Sequence, residues 1–233
     1  MRARSLLAAV LTGAAALAGL ATPAAADSAE ALIVKGEFTA SAPWSARLYQ
    51  DGKDGYCTAT VIADSWIITA RHCIGGDHQW GFRIGDVEHA KGTYVDVVPG
   101  GITIHPNADL ALAKLAKPVP ASAQRVRLGT LADVAVNQTV TIHGWGQTEA
   151  GTQSPRLKNA KLKVTNLSAR DAYDGRAVNG AQINGVCGSG DSGGPMFAPN
   201  GTQVGVLSTG DGRSCQYTHV GAYREWIKSI AGV

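Results

Sequence analysis

The segment 190–195, which reads Gly-Asp-Ser-Gly-Gly-Pro, holds the side chain of this 233-residue chain best suited to covalent chemistry. A serine enclosed by glycines can act as a nucleophile on a tight turn, because glycine tolerates backbone dihedral angles that other residues avoid. In such a turn the main-chain N–H groups of Gly190 and Ser192 can converge on a developing oxyanion. Taken alone, the segment is equally compatible with an ordinary glycine-rich loop.

Two upstream motifs supply the partners that a serine nucleophile needs. His72 stands in Thr-Ala-Arg-His-Cys, directly after the apolar run Trp-Ile-Ile, and Asp109 precedes a Leu-Ala-Leu run. A hydroxyl is a weak nucleophile until a base takes its proton, and that base works best when an acid orients it. His72 is therefore the candidate base, Asp109 the candidate orienting acid and Ser192 the candidate nucleophile. The order His, Asp, Ser along the chain is one of the recognised orders for such a triad.

With the Gly-Trp-Gly segment at 144–146, these motifs make the chain resemble the trypsin-like (chymotrypsin-fold) secreted serine peptidases over residues 33–233. The resemblance implies a serine endopeptidase that works through an acyl-enzyme, with catalytic His72, Asp109 and Ser192. It also implies an oxyanion hole formed by the amides of Gly190 and Ser192. The expected fold is all-β, with two packed six-stranded antiparallel Greek-key barrels and a short C-terminal helix.

The pattern of the chain agrees with an all-β fold. Short apolar or alternating runs are separated by Gly, Pro, Asn and Asp throughout, and only the tail from 222 to 230 has helical spacing. Prolines at 118 and 120 mark the expected junction of an N-terminal barrel at about 33–120 with a C-terminal barrel at about 121–233. Lys158, Lys161 and Lys163 are expected to lie in solvent along one strand.

The first residues have the features of an export signal. Arg2 and Arg4 precede an apolar stretch rich in Ala and Leu, and an Ala-x-Ala site ends at residue 26. We expect a signal peptide over 1–26, a short propeptide over 27–32, and a secreted protein. The Ala-rich leader favours a bacterial source.

In the family that the chain resembles, an Ile-Val pair begins the mature protein after activation cleavage. Ile33 occupies that position, and its new ammonium group would pair with Asp191. The alternative is a mature protein that begins at Asp27, with Ile33 in an edge strand.

The four cysteines of an exported chain predict two disulfide bonds, and the residues alone permit three pairings. The resemblance implies the pairs Cys57–Cys73 and Cys187–Cys215. No histidine has metal-ligand spacing with a cysteine or carboxylate, so no metal or other cofactor is expected.

The resemblance also locates a specificity pocket with one wall at residues 185–188 and the other at Ser208, Thr209 and Gly210. One more residue than usual separates Cys187 from Ser192, so the floor is either Gly185 or Val186. Neither residue is charged. We therefore expect a small-to-medium apolar residue before the scissile bond rather than Arg or Lys, although Asp211 near the rim could favour a basic side chain.

The formal net charge of +3 is unchanged by loss of residues 1–32 and suggests no polyanionic partner. The expected partners are protein or peptide substrates and a possible proteinaceous inhibitor, with no nucleic acid and no membrane, and the protein is expected to be a monomer. Two alternatives remain. One is a catalytically impaired protein of the same fold that binds a partner. The other is an α/β-hydrolase elbow at Ser192, with Asp211 and His219 completing a triad.

Overall fold

The structure is a computed structural model that describes Ile33, residues 36–148 and residues 150–233. The predicted signal peptide at 1–26 and propeptide at 27–32 lie outside the described residues. Strands dominate the described part of the chain. In chain order they are β1 (Glu37–Phe38), β2 (Ser45–Gln50), β3 (Lys53–Ala63), β4 (Trp66–Thr69), β5 (Trp80–Ile84), β6 (Thr93–Ile104), β7 (Ala111–Leu115), β8 (Thr139–Gly144), β9 (Lys158–Arg170), β10 (Arg176–Gln182), β11 (Pro195–Phe197), β12 (Gln203–Gly210) and β13 (Ser214–His219).

The strands form two closed barrels, as predicted. The first barrel has the order β2-β3-β4-β7-β6-β5, and all its strand pairs are antiparallel. The second closes through β9-β10-β13-β12-β11-β8, because β8 also pairs with β9. β1 extends the second barrel by pairing with the outer edge of β9, although it precedes the first barrel in the chain. The predicted junction near residue 120 falls in the connection between β7 and β8, and the domain boundary stays a prediction.

The three larger apolar cores of the described residues lie inside the barrels and between them. One fills the second barrel, with Leu162, Val178 and Leu207 among its members, and another fills the first barrel around Leu48 and Phe82. A third lies between the barrels, where members from both of them meet the C-terminal segment. This third core holds the two barrels together, and the catalytic candidates lie along their junction.

Lys158 corrects one expectation from the sequence. Lys161 and Lys163 are exposed, but Lys158 is fully buried. Successive strand residues face opposite sides of a sheet. Lys158 is three residues from Lys161 and five from Lys163, so it lies on the opposite, inward face with Ala160 and Leu162. Its ammonium lies 5.7 Å from the centre of the Phe38 ring, which belongs to the neighbouring β1.

The predicted C-terminal helix is α1 (Arg224–Ala231). Glu225 lies in its first turn, where a negative charge interacts favourably with the helix dipole. Ile227 is fully buried in the core between the barrels. The helix ends at Gly232, whose φ of 77° is the left-handed conformation that commonly terminates helices.

Candidate active site

His72 and Asp109 are in direct contact. His72 lies in a single 3-10 turn, Arg71–Cys73, that follows β4, and Asp109 lies in the loop between β6 and β7. The Nδ1 atom of His72 is 2.6 Å from Oδ2 of Asp109, and the His72 amide donates to Oδ1 at 2.9 Å. Because a carboxylate can only accept, this contact places the ring proton on Nδ1. The opposite nitrogen, Nε2, is then available as a proton acceptor.

The surroundings of Asp109 keep it ionised. Its side chain is completely buried, and burial alone would raise the pKa of the carboxyl group. Hydrogen bonds from His72 and Ser208 outweigh that cost, so the pKa of Asp109 is lowered from its usual value. The Ser208 hydroxyl donates to Oδ2 at 2.6 Å. Sequence reasoning placed Ser208 only on the pocket wall and missed this role.

A second buried carboxylate holds the backbone of Asp109. The Asp109 amide donates to Oδ2 of Asp171 at 2.9 Å, and the Thr218 hydroxyl donates to the same oxygen at 2.8 Å. The other oxygen of Asp171 accepts from the amides of Tyr173 and Gly175 within its own turn. Sequence reasoning missed Asp171, since nothing in the local Asp-Ala-Tyr-Asp-Gly sequence points to a residue 62 positions away.

Ser192 is connected to the turn that carries His72 indirectly, through Thr58 and Cys57. Its carbonyl accepts from the Thr58 amide at 2.8 Å, and the preceding residue, Cys57, is bonded to Cys73 beside His72. The described part of the chain contains no hydrogen bond from the Ser192 hydroxyl to the His72 ring. Catalytic hydrogen bonds are often long or poorly aligned in the absence of substrate and tighten when it binds.

The predicted oxyanion hole consists of two main-chain amides, those of Gly190 and Ser192. Among the described residues, the amides of Gly190 and Ser192 donate to no protein acceptor. By contrast, the amides of Asp191, Gly193 and Gly194 each donate to a main-chain carbonyl. Amides without protein partners can receive a developing negative charge.

Glycine is needed at positions 190 and 193 because of both backbone conformation and space. Gly190 has a φ of 99° and Gly193 a φ of 79°, a range that L-residues with side chains rarely adopt. A Cβ atom on Gly190 would collide with the side chain of Gln153, and one on Gly193 would collide with Thr69 and the Thr58 carbonyl. The turn therefore requires glycine at both positions.

Asp191 is buried and accepts hydrogen bonds from main-chain amides. The carboxylate accepts from the Gly146 amide at 2.6 Å and from the Gly188 amide at 2.8 Å. Burial raises the pKa of Asp191 to about 6, and these two hydrogen bonds offset only part of that rise. A Cβ atom on Gly144 or Gly146 would collide with the carboxylate. The Gly-Trp-Gly segment therefore makes room for Asp191.

Ile33 has its side chain fully buried in the core of the second barrel, which also contains Val186 and Cys187. In the uncleaved chain its nitrogen is still in a peptide bond with Leu32, so the predicted ion pair with Asp191 requires cleavage.

Two disulfide bonds join Cys57 to Cys73 and Cys187 to Cys215, which is the pairing that the resemblance implies. The first attaches the turn that carries His72 to β3, and the second links the two walls of the cavity beside Ser192. Cys57, Cys73 and His72 lie close enough together to resemble a metal site. The disulfide removes the thiolates that would ligate a metal ion there.

A cavity of about 420 Å³ opens beside Ser192. Its lining residues are all uncharged: Gln147, Val186, Cys187, Gly188, Ser189, Ser192, Leu207, Ser208, Thr209, Gly210 and Gly212. Of the predicted pocket residues, Val186, Ser208, Thr209 and Gly210 line it and Gly185 does not. Of the two residues proposed for the floor, only Val186 therefore lines the cavity.

The structure does not support the α/β-hydrolase alternative. Both barrels are all-β. Asp211 uses its carboxylate to accept from the amides of Arg213 and Ser214 in its own turn. His219 is completely buried in β13.

The comparisons with known proteins identify the family and the fold. The family model described as Trypsin matches residues 33–227. An uncharacterized peptidase of Corynebacterium glutamicum (strain R) is 35% identical over 187 residues, which cover 76% of this chain and 64% of that protein. Vitamin K-dependent protein C of Mus musculus is 29% identical over 243 residues, which cover 86% of this chain and 52% of that protein. The chain thus spans about half to two thirds of these relatives.

Solved structures show the same fold. Neuropsin, a serine protease of mouse brain, superposes with a TM-score of 0.72 at 24% identity, over 84% of this chain and 98% of that one. A scabies mite inactivated protease paralogue superposes with a TM-score of 0.73 at 22% identity, over 85% and 97%. In the described residues, no helix combines the length and apolar character needed to cross a lipid bilayer.

Proposed function

Because this chain belongs to the trypsin family, we propose that it is a serine endopeptidase that cleaves peptide bonds through an acyl-enzyme. The observation that carries the proposal is the 2.6 Å contact between His72 Nδ1 and Asp109 Oδ2. It leaves Nε2 as the ring nitrogen that can act as a base, and we assign it the proton of the Ser192 hydroxyl. The chain has both groups that activate a serine hydroxyl.

The reaction proceeds in two halves. Ser192 Oγ attacks the carbonyl carbon of the substrate as its proton moves to Nε2 of His72. The tetrahedral intermediate then collapses, the carbon–nitrogen bond breaks, and the amine leaves with that proton. Water attacks the acyl-enzyme with His72 again as base, which releases the acid and restores Ser192. The negative charge of Asp109 stabilises the imidazolium formed in each half.

The amides of Gly190 and Ser192 stabilise the oxyanion. Each such donor contributes about 3–4 kcal/mol to the transition state in enzymes of this kind. The absence of protein acceptors for these two amides in the described chain supports this assignment.

Activation follows cleavage before Ile33. The burial of Asp191 supports this step, because a carboxylate whose pKa is raised to about 6 by burial gains from a cationic partner. The new ammonium of Ile33 would supply that charge and lower the pKa. The side chain of Ile33 is already in the core next to the cavity segment.

The substrate preference follows from the uncharged cavity. A small-to-medium apolar side chain before the scissile bond can contact Val186 and Leu207, whereas Arg or Lys would find no carboxylate among the lining residues. We further propose a secreted, monomeric protein, open to proteinaceous inhibitors. The N-terminal sequence supports export, and its Ala-rich composition together with the corynebacterial relative supports a bacterial source.

The test is covalent labelling with a fluorophosphonate, which reacts with activated serine hydroxyls. Protein with its N-terminus at Ile33 should be labelled at Ser192 and should hydrolyse peptide substrates. Ser192→Ala should abolish both while the melting temperature stays within a few degrees of wild type. The matched control is Ser189→Ala, which removes a neighbouring cavity hydroxyl and should retain labelling.

A second candidate function is partner binding without catalysis. The observation that favours it is that the Ser192 hydroxyl makes no hydrogen bond to His72 in the described residues. If correctly cleaved, folded protein takes up no fluorophosphonate and hydrolyses no peptide, the binding function replaces the peptidase.

A further inference from the structure

Arg47 is a fully buried cation at the junction of the two barrels. It lies on β2, and a buried guanidinium is costly unless a countercharge and acceptors surround it. The Asp54 carboxylate pairs with it in a bidentate contact, 2.7 Å from Nε and 3.2 Å from Nη2. Asp54 occupies only one edge of the guanidinium, so the remaining N–H groups can serve another purpose.

Those remaining groups reach the turn that precedes Ser192. Nη1 of Arg47 donates to the Gly190 carbonyl at 3.2 Å, across 143 residues of sequence. Nη2 also lies 3.2 Å from Oε1 of Gln153, and the Gln153 amide nitrogen in turn donates to the Ser189 carbonyl at 3.0 Å. Arg47 thus contacts the turn directly and through one intermediate side chain.

The two contacts hold the peptide groups on both sides of the Gly190 α-carbon. A trans peptide group is planar, so its N–H points opposite to its carbonyl. The direction of the Ser189 carbonyl therefore sets the direction of the Gly190 amide, which belongs to the same peptide group. The Gly190 carbonyl belongs to the next group, and Thr58 donates a second hydrogen bond to it at 3.1 Å.

We infer that Arg47 is a positioning residue for the oxyanion hole, which aims the Gly190 amide through the Gly190 carbonyl and through Gln153. The inference rests on the proposed function, because it assigns Arg47 a part in stabilising the same oxyanion. Burial raises the pKa of the Asp191 carboxyl group, and two amide hydrogen bonds partly oppose that rise. The charge of Arg47 opposes it further, by a smaller amount.

Kinetics of protein cleaved before Ile33 test the inference. Arg47→Met should lower kcat by about 10- to 100-fold, less than the loss of a whole oxyanion donor, and leave KM within about threefold. The affinity for a peptide aldehyde, whose hemiacetal oxygen occupies the oxyanion hole, should fall by a similar factor. The matched control is Arg83→Met on the adjacent β5, which should keep wild-type values. Arg83 donates to the Gly92 carbonyl, and none of its contacts in the described residues involves the turn that precedes Ser192.

Gln153→Leu provides a second variant in case loss of a buried cation prevents folding. It leaves the ion pair of Arg47 with Asp54 and the contact with the Gly190 carbonyl in place. It removes the Gln153 acceptor of Arg47 Nη2 and the Gln153 donor to the Ser189 carbonyl, which keeps its hydrogen bond from the Gln147 amide at 2.7 Å. We expect the same selective loss of kcat, smaller than for Arg47→Met, with an unchanged melting temperature. An unchanged kcat in Gln153→Leu and in folded Arg47→Met would overturn the inference.

A measurement without turnover separates this inference from the peptidase proposal. Labelling with carbonyl-¹³C serine and ¹⁵N glycine selects the two Ser-Gly peptide groups, 189–190 and 192–193, and Ser192→Ala identifies the remaining resonance as the Gly190 amide. Arg47→Met and Gln153→Leu should each shift or broaden that resonance, and Arg83→Met should not. If wild type is inactive but the resonance shifts, the peptidase proposal fails and the positioning contact stands. A resonance that moves in neither variant overturns the inference even in an active enzyme.

Discussion

The hydroxyl of Ser208 donates to the carboxylate of Asp109 at 2.6 Å and joins the two barrels at the base of the candidate triad. Asp109 follows β6 in the first barrel, and Ser208 lies on β12 in the second. The same serine also lines the cavity. Ser208 thus both orients Asp109 and shapes the cavity. A change in the relative position of the two barrels would therefore affect the site.

Substitutions at this contact should affect catalysis to different degrees. Asp109→Asn should lower kcat by up to ~10⁴-fold, because an amide can donate to Nδ1 and favour the wrong tautomer of His72. Ser208→Ala removes one hydrogen bond to a charged group and should lower kcat by about 10- to 100-fold. Steady-state kinetics on a peptide substrate measure both. Equal effects of the two substitutions would contradict the role of Ser208 as a supporting donor.

The space that Gly146 leaves for Asp191 leads to a second prediction. Gly146→Ala should destabilise the protein by roughly 1–3 kcal/mol and lower kcat, because the new methyl group collides with the carboxylate next to Ser192. Urea unfolding of protein that carries Ser192→Ala measures the stability. Gly75→Ala is the matched control, since a Cβ atom there has no neighbour within 4 Å. A stability of Gly146→Ala equal to that of the control would show that the pocket around Asp191 can relax.

The uncharged cavity predicts how specificity can be changed. Wild-type protein should prefer Ala, Val or Leu over Arg before the scissile bond, as measured by kcat/KM on a matched substrate series. Val186→Asp places a carboxylate in the cavity and should raise kcat/KM for Arg relative to Leu by at least tenfold, through a charge-assisted contact. A strong Arg preference in wild type would contradict the uncharged pocket.

Acid stability should depend on His219. Burial, followed by the charge of Arg176, lowers the pKa of His219 to about 4. The folded state thus resists protonation, and the stability that neutral His219 contributes is complete above pH 6.5. It is lost as the pH falls toward 4, by up to roughly 3 kcal/mol. Urea unfolding between pH 7 and 4 should show that the free energy of unfolding falls less steeply with pH for His219→Met than for the unsubstituted protein.

The prediction for His219 needs the comparison of His219→Met with the unsubstituted protein, because Asp191 changes the free energy of unfolding in the opposite direction over the same pH range. Its raised pKa of about 6 means that the uncleaved protein gains stability from Asp191 as the pH falls from 6 toward 4. The difference between parent and His219→Met cancels this contribution. Parallel pH profiles for the two proteins would contradict the prediction for His219.

Much of the architecture could be predicted from the sequence because it depends on local patterns. Short apolar runs predicted β-strands, and the Trp-Ile-Ile run that precedes the His72 motif lies in β4, Trp66–Thr69. The glycines around Ser192 and the order of the three motifs predicted which residues could meet. The prediction that Lys158 lies in solvent was wrong, because it grouped Lys158 with Lys161 and Lys163 although alternation along β9 places it on the opposite face.

The supporting contacts of the site were beyond sequence reasoning, because only the closed barrels bring them together. Ser208 reaches Asp109 across 99 residues, Asp171 reaches it across 62, and Arg47 reaches Gly190 across 143. Each pair joins a polar side chain to a distant polar group, and the sequence neighbours of the two carry no matching signal. The amino-acid sequence alone thus determined which groups could do chemistry. The tertiary structure decided which buried partners orient those groups and keep them ionised. The physical reason is that a buried polar group needs a partner, and folding alone determines which partner is near.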